Sequence, residues 1–277
     1  GSGTALWTNG QDMVDACKLL GVDVMTGHWE FTLGMERVKE IIEKDFKGKV
    51  DFVAQNVKTQ DFGDPVFKPY VIREINGVPC AIIGQAFPYT PIANPRYMVA
   101  DWAFGIQDEN MQKMVDEARG KGAQVVVVLS HNGMDVDLKM ASRVSGIDAI
   151  MGGHTHDGMP VASVVNNKGG KTIVTNAGSN SKFLSVLDFE VKDKKVSDFR
   201  YKLLPVELSL TLAGRDELDV VHHDQAHLGV SRKDRRISAP LASLRADSFD
   251  RLRTIVVNVN RERSDSARRF RDLDPVY

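Results

Sequence analysis

The stretch from residue 125 to residue 156, VVVVLSHNGMDVDLKMASRVSGIDAIMGGHTH, contains two apolar runs that each lead into histidine. Residues 125–130 precede His131, and residues 148–153 precede His154-Thr155-His156. Short apolar runs of this kind are typical of buried parallel strands. We therefore predict two strands whose histidines lie in loops at the carboxyl ends, the edge at which open α/β sheets bind ligands.

A third segment nearer the start of the chain has the same form. The apolar run at 22–26 is followed by Gly27 and His28, so His28 also falls in a strand-end loop. Histidine is the commonest metal ligand among side chains. In extended backbone, alternate side chains share a face, so His154 and His156 are expected to reach the same small volume. The sequence therefore predicts a metal site formed by His28, His131, His154 and His156.

The rest of the first 206 residues alternates between helical and strand periodicity. Helices are predicted at 11–20, 35–44, 108–121 and 136–144. Strands are predicted at 22–26, 50–57, 70–75, 78–84, 125–130, 148–151, 171–176 and 184–191, with an Asn76-Gly77 hairpin turn. This alternation indicates an α/β domain with added antiparallel strands.

Composition excludes several classes of protein. The chain has 277 residues, a net charge of -1 and 42% hydrophobic residues, which gives no reason to expect nucleic acid or an anionic membrane as partner. Cys17 and Cys80 are the two cysteines, too few for a disulfide framework or a thiolate metal site. No apolar stretch reaches the ~18 residues of a membrane span.

The ratio of lysine to arginine changes near residue 206. Residues 1–206 contain 17 Lys and 6 Arg, whereas residues 207–277 contain 1 Lys and 12 Arg. Two explanations stay open: an Arg-rich, partly disordered tail, or translation of this part in a different reading frame. We therefore divide the chain into a catalytic domain at 1–206 and a tail of doubtful fold at 207–277.

The histidine motifs resemble those of a known family. Gly27-His28-Trp29-Glu30, Ser130-His131-Asn132-Gly133, the Gly-Gly-His-Thr-His at 152–156 and the Asn-Ala-Gly-Ser at 176–179 resemble the 5′-nucleotidase branch of the calcineurin-like metallophosphoesterases. In that branch the first motif usually reads Gly-Asn-His-Glu. The Gly-His-Trp-Glu variant, with the opening GSGTALWT, is similar to the SoxB sulfate thiohydrolases of bacterial sulfur oxidation. The resemblance covers residues 1–206 and implies a layered α-β-β-α domain with mixed sheets.

The resemblance also implies an activity and a ligand set. It implies a hydrolase with two Mn²⁺ ions, although such ligands also take Zn²⁺ or Fe. His28, His131 and His154 would bind one ion and His156 the other. The substrate would be a thiosulfonate on a cysteine of the SoxYZ carrier protein in the periplasm, from which sulfate is released.

Roles for two further residues follow from the same resemblance. The indole N–H of Trp29 would donate to a sulfonate oxygen, with His28 beside it in the catalytic loop; otherwise Trp29 packs beneath the loop. Asn176 would contact substrate or orient its loop.

One departure from the family concerns the start of the chain. The Asp-X-His and Gly-Asp motifs of the family lie upstream of the segment at which this chain begins. We therefore expect a domain truncated at its N-terminus, with an incomplete metal site and little or no activity. Two alternatives stay open: a 5′-nucleotidase or related phosphoesterase, and a non-catalytic binding module that keeps the fold.

Overall fold

The computed structural model of the protein describes residues 3–206 and, beyond them, the backbone of short strands at 210–211, 219–220 and 255–261. The predictions for the tail at 207–277 lie otherwise outside the described residues. Among the described residues, no helix combines the length and the apolar composition of a membrane-spanning segment.

Helices form where the sequence carries apolar residues at helical spacing. They are α1 (Gly3–Trp7), α2 (Gln11–Leu20), α3 (Met35–Glu40), α4 (Thr90–Ala93), α5 (Asp108–Gly120) and α6 (Met134–Arg143), with 3-10 turns at Trp29–Leu33 and Arg96–Met98 and a π-helical turn at Ile41–Asp45. Helix α2 buries Val14, Cys17 and Leu20, and it ends at Gly21, whose φ of 75° is favourable for glycine. All four predicted helices are therefore confirmed.

The strands belong to several sheets. In chain order they are β1 (Val24–Met25), β2 (Asp51–Phe52), β3 (Val57–Thr59), β4 (Tyr70–Ile75), β5 (Val78–Gln85), β6 (Trp102–Phe104), β7 (Val125–Ser130), β8 (Ala149–Gly152), β9 (Ser163–Asn167), β10 (Gly170–Asn176), β11 (Phe183–Lys192), β12 (Lys195–Pro205), β13 (Leu210–Thr211), β14 (Asp219–Val220) and β15 (Ile255–Arg261). The main sheet has six strands in the order β4-β5-β7-β8-β10-β9. Its central strands β5, β7, β8 and β10 are parallel, and β4 and β9 are antiparallel edges.

The two faces of the main sheet are covered by different layers. Helices α5 and α6 pack on one face through Met111, Val115, Met140 and Ala141. On the other face lies the sheet β12-β11-β15, whose strand β11 packs against the main sheet through Leu187, Phe189 and Val191. Strand β11 pairs with β12 antiparallel and with β15 parallel. The predicted α/β class with mixed sheets is confirmed, and the described residues show helix, sheet and sheet layers.

The predicted strands at 22–26 and 50–57 are much shorter than expected. The two-residue strands β1 and β2 pair in parallel, Val53 forms an isolated bridge with Lys68, and Val57 begins the separate strand β3. Beyond β2 the backbone N–H groups bond to three different segments: Val53 to Met25, Ala54 to Lys68 and Gln55 to Gly84. Because successive amides have partners on different strands, no continuous ladder extends through this segment.

Candidate metal centre

The carboxyl ends of the central parallel strands converge on one edge of the main sheet. Phe87 follows β5, His131 follows β7, His154 lies two residues beyond β8, and Asn176 ends β10. The loop after β1 brings His28 to the same edge, where its ring stacks on that of His131. The prediction that these histidines occupy strand-end loops is therefore confirmed for all four, since His156 lies in the same loop as His154.

His28, His131 and His154 form one group. Their candidate ligand nitrogens all lie within 4.8 Å of one another. The ring centroids of His28 and His131 are 3.8 Å apart, and that of His154 lies 6.0 Å from His28 and 5.5 Å from His131. His131 is buried and the other two are half-buried, so the group opens toward solvent on one side.

Phe87 lies against all three imidazoles and was not identified from the sequence. Its ring centroid is 4.8 Å from that of His28, 5.6 Å from that of His131 and 4.4 Å from that of His154. The side chain is buried, and its backbone N–H donates to Gly27 O at 3.1 Å. Phe87 therefore gives the group an apolar wall that excludes water from one side.

The loop of His28 and Trp29 is fixed by ring contacts, by a hydrogen bond to Glu30 and by close packing on Phe31. The centroid of Trp29 lies 4.6 Å from that of His28 and 5.9 Å from that of Phe87. The carboxylate of Glu30 accepts a hydrogen bond from the backbone N–H of His28. Gly27 has no room for a side chain, since a Cβ there would lie 2.5 Å from the ring of Phe31. Trp29 is half-buried, so part of its side chain is accessible to solvent.

The loop of His154 and His156 differs from the sequence-based expectation. Both residues have positive φ, 74° and 62°, so the backbone is left-handed here and not extended. The two side chains therefore do not share a face: His154 joins the group, whereas His156 is exposed and lies outside it. The binding of a second ion by His156 stays a prediction.

Asn176 is buried beneath this loop. Its side-chain N–H groups donate to Gly153 O at 3.3 Å and to Thr155 Oγ1 at 3.4 Å, and its Oδ1 accepts from Gly178 N. These bonds support the loop-orienting alternative. A contact between Asn176 and substrate stays a prediction.

Asp137 is a buried carboxylate close to the group that sequence reasoning missed. Its Oδ1 accepts hydrogen bonds from Ser130 Oγ at 2.6 Å and from Asn132 Nδ2 at 3.1 Å. Burial raises the pKa of Asp137 to about 7, against the opposing effect of these two bonds. The sequence does indicate its burial, because Asp137 lies at helical spacing from Met140 and Ala141, which form the buried apolar stripe of α6.

The donor set fits a divalent transition metal. Three imidazoles with an open side are the protein ligand set of many catalytic zinc sites, which leave one position for water or substrate. Imidazole alone does not select among zinc, iron, manganese and copper. Within residues 3–206, this is the one group of at least three potential ligands brought together.

Comparisons with known proteins agree with this fold. The sulfate thiohydrolase SoxB of Thermus thermophilus superposes with a TM-score of 0.67 and 35% identity over 74% of this chain and 36% of its own. A 5′-nucleotidase precursor from the same species has a TM-score of 0.60 and 26% identity over 72% of this chain and 42% of its own. The 5′-nucleotidase of Rattus norvegicus is 26% identical over 205 residues, which are 67% of this chain and 35% of that protein.

The chain thus spans 35% to 42% of the length of these relatives. No established protein-family profile matches it. The mixed sheets, the strand-end histidines and the similarity to both kinds of hydrolase support the assignment of the chain to the 5′-nucleotidase branch of the metallophosphoesterase superfamily, whose members are metal-dependent hydrolases.

Proposed function

We propose that this chain supplies the metal-binding domain of a hydrolase that releases sulfate from a thiosulfonate on a cysteine of the SoxYZ carrier protein. The observation that carries the proposal is the Gly-His-Trp-Glu loop, which puts an indole beside the imidazole of His28, 4.6 Å between centroids. The 35% identity to a SoxB protein supports the same substrate class.

His28, His131 and His154 would hold one metal ion. A bound divalent cation supplies Lewis acidity and lowers the pKa of water toward neutrality. Half-buried Trp29 would orient the substrate by donating its indole N–H to a sulfonate oxygen. Phe87 keeps water from the opposite side of the imidazoles. A thiolate or persulfide leaving group needs little help from an acid, so an indole in this loop suffices.

Further parts of the proposal rest on the resemblance to SoxB alone. They are a second ion held with the participation of His156, manganese as the metal, and activity in the periplasm.

A nucleotidase is the second candidate. The sequence similarity to 5′-nucleotidases extends over 205 residues, and the histidine group would serve a phosphate ester equally well. Both substrates present a tetrahedral anionic group to the metal. The identity of the residue at position 29 is the feature of this chain that favours the sulfur substrate.

The test compares two products released by the protein supplied with Mn²⁺. We expect sulfate to be released from thiosulfonate-loaded SoxYZ, and no phosphate from nucleoside monophosphates. Trp29→Phe keeps the ring but loses the N–H, so we expect it to slow sulfate release about tenfold with metal content unchanged. Trp7→Phe, at a side chain that is 85% exposed, is the matched control.

Three results would contradict the proposal. Phosphate release without sulfate release would establish the nucleotidase. If the protein is folded and binds metal but releases neither sulfate nor phosphate, it is a non-catalytic module. If Trp29→Phe and Trp7→Phe slow sulfate release equally, Trp29 does not bind the substrate.

A further inference from the structure

We propose that Asp137 is a positioning residue that fixes the loops of His131 and His154 relative to each other. The inference rests on the proposed metal site, because it concerns the geometry of two of its ligands. Asp137 is fully buried on α6, the helix that connects β7 to β8 and therefore the two histidine loops.

The first contact of Asp137 is with the loop of His131. Its Oδ1 accepts hydrogen bonds from the side chains of Ser130 and Asn132, the two residues that flank this histidine. The hydroxyl of Ser130 accepts in turn from the backbone N–H of Asn132 at 3.2 Å. One carboxylate oxygen thus restrains the chain on both sides of the ligand.

The second contact is with the strand end that leads to His154. The other oxygen, Oδ2, lies directly against Gly152, where a Cβ would be only 2.5 Å from it. Gly152 is the last residue of β8 and lies two positions before His154. Glycine at 152 therefore lets the carboxylate reach the backbone of the second loop. Among the described residues, Oδ2 accepts no hydrogen bond.

Helix α6 also holds the second loop through its first residue. The backbone N–H of Met134 donates to Thr155 Oγ1 at 3.1 Å. Thr155 lies next to His154 and also receives the amide of Asn176. The same helix therefore touches both histidine loops, at its N-terminus and at Asp137.

A buried chain of amides extends the first contact to β5. Asn132 Oδ1 accepts from Gln85 Nε2 at 2.9 Å, and Gln85 Oε1 accepts from Gln55 Nε2 at 2.6 Å. The backbone O of Gln85 accepts from the N–H of His131 at 2.9 Å. All of these side chains are buried, so the bonds are protected from competition with water. The carboxylate thus completes a polar network beneath the ligands.

The test measures Co²⁺ binding by the full chain, from the visible spectrum of the bound ion. Asp137→Ala removes both contacts, so we expect Co²⁺ affinity to fall 10- to 100-fold, roughly the effect of removing groups that orient metal ligands. Asp137→Asn can keep the oxygen that accepts from Ser130 and Asn132, so we expect affinity within about threefold of the original.

Asp148→Ala is the matched control. Asp148 is also a largely buried aspartate, but it lies just before the opposite end of β8 and pairs with Arg119 at 2.6 Å. We expect this variant to lose thermal stability while its Co²⁺ affinity stays unchanged. If Asp137→Ala does not fold, Ser130→Ala takes its place, because it removes one of the two donors, and a several-fold loss of affinity is expected.

The outcomes separate this inference from the proposed function. No Co²⁺ binding by the unmodified chain would overturn the metal site and the positioning role together. Binding by the unmodified chain and equally tight binding by folded Asp137→Ala, or by Ser130→Ala in its place, would overturn the positioning role alone. Equal losses of affinity in the Asp137 and Asp148 variants would show a general effect of stability and would also overturn it.

Discussion

Burial decides the chemistry of both cysteines. Cys17 and Cys80 are buried, and desolvation raises the pKa of each thiol to about 12. At pH 8 the thiolate fraction is then about one part in ten thousand. We expect neither thiol to react with iodoacetamide in the native protein within an hour, and both to react in urea, as measured by mass spectrometry. Rapid native alkylation of either cysteine would contradict the described burial.

At the scale of single residues, the sequence predicted the histidines better than their surroundings. His28, His131 and His154 could be found because each follows an apolar run, and strand ends collect at one edge of a parallel sheet. The position of His156 depends on two positive φ angles that the sequence does not display. The contact of Phe87 with the three imidazoles could not be predicted, since an aromatic residue in an apolar segment normally indicates only a position in the core.

At the scale of elements, Gly84 lies where the segment after β2 comes closest to strand β5. A Cβ at this position of β5 would lie 1.9 Å from Val53 O. Gly84→Ala must therefore separate the segment after β2 from the main sheet, which also breaks the hydrogen bond from Gln55 N to Gly84 O. We expect the free energy of unfolding to fall by about 3 kcal/mol, measured by urea denaturation.

Gly120→Ala is the matched control for that substitution. Gly120 ends α5, and apart from its chain neighbours and the backbone of its own helix no atom lies within 4 Å of the position that a Cβ would take there. Alanine is therefore expected to raise the free energy of unfolding by up to about 1 kcal/mol. Equal stability changes in the two variants would mean that the segments at Val53 and Gly84 are not in contact.

Strand boundaries in the main sheet were predicted as accurately as helix boundaries, since β4 and β7 match their predicted ranges. Helix α2 matches its predicted range because Gly21 provides a local stop signal. Strand β12 was missed, since its half-buried residues are interspersed with charged ones such as Lys195, Asp198 and Arg200. The short pair β1 and β2 depends on partners distant in sequence, which no local pattern specifies.

At the scale of the whole molecule, the predicted class was correct but the sheet order could not be derived. Alternating helices and strands indicate parallel pairing, and β5, β7, β8 and β10 follow that rule. Strand β9 pairs antiparallel with β10 at the edge of the sheet, and β15 pairs parallel with β11. The local sequence of these strands does not predict which strand each will pair with. The convergence of His131 and His154 is a consequence of the parallel core and was therefore predictable, whereas His28 reaches the same edge from β1, a strand of a separate two-stranded sheet.

The central claim is that three loops from this fold create one metal site. The most direct measurement is anomalous diffraction from crystals of the chain soaked in Zn²⁺. We predict a single strong peak about 2.0–2.1 Å from one nitrogen each of His28, His131 and His154. The peak is expected to disappear in His131→Ala. A peak elsewhere in the described fold, or none at the three imidazoles at millimolar Zn²⁺, would contradict the account.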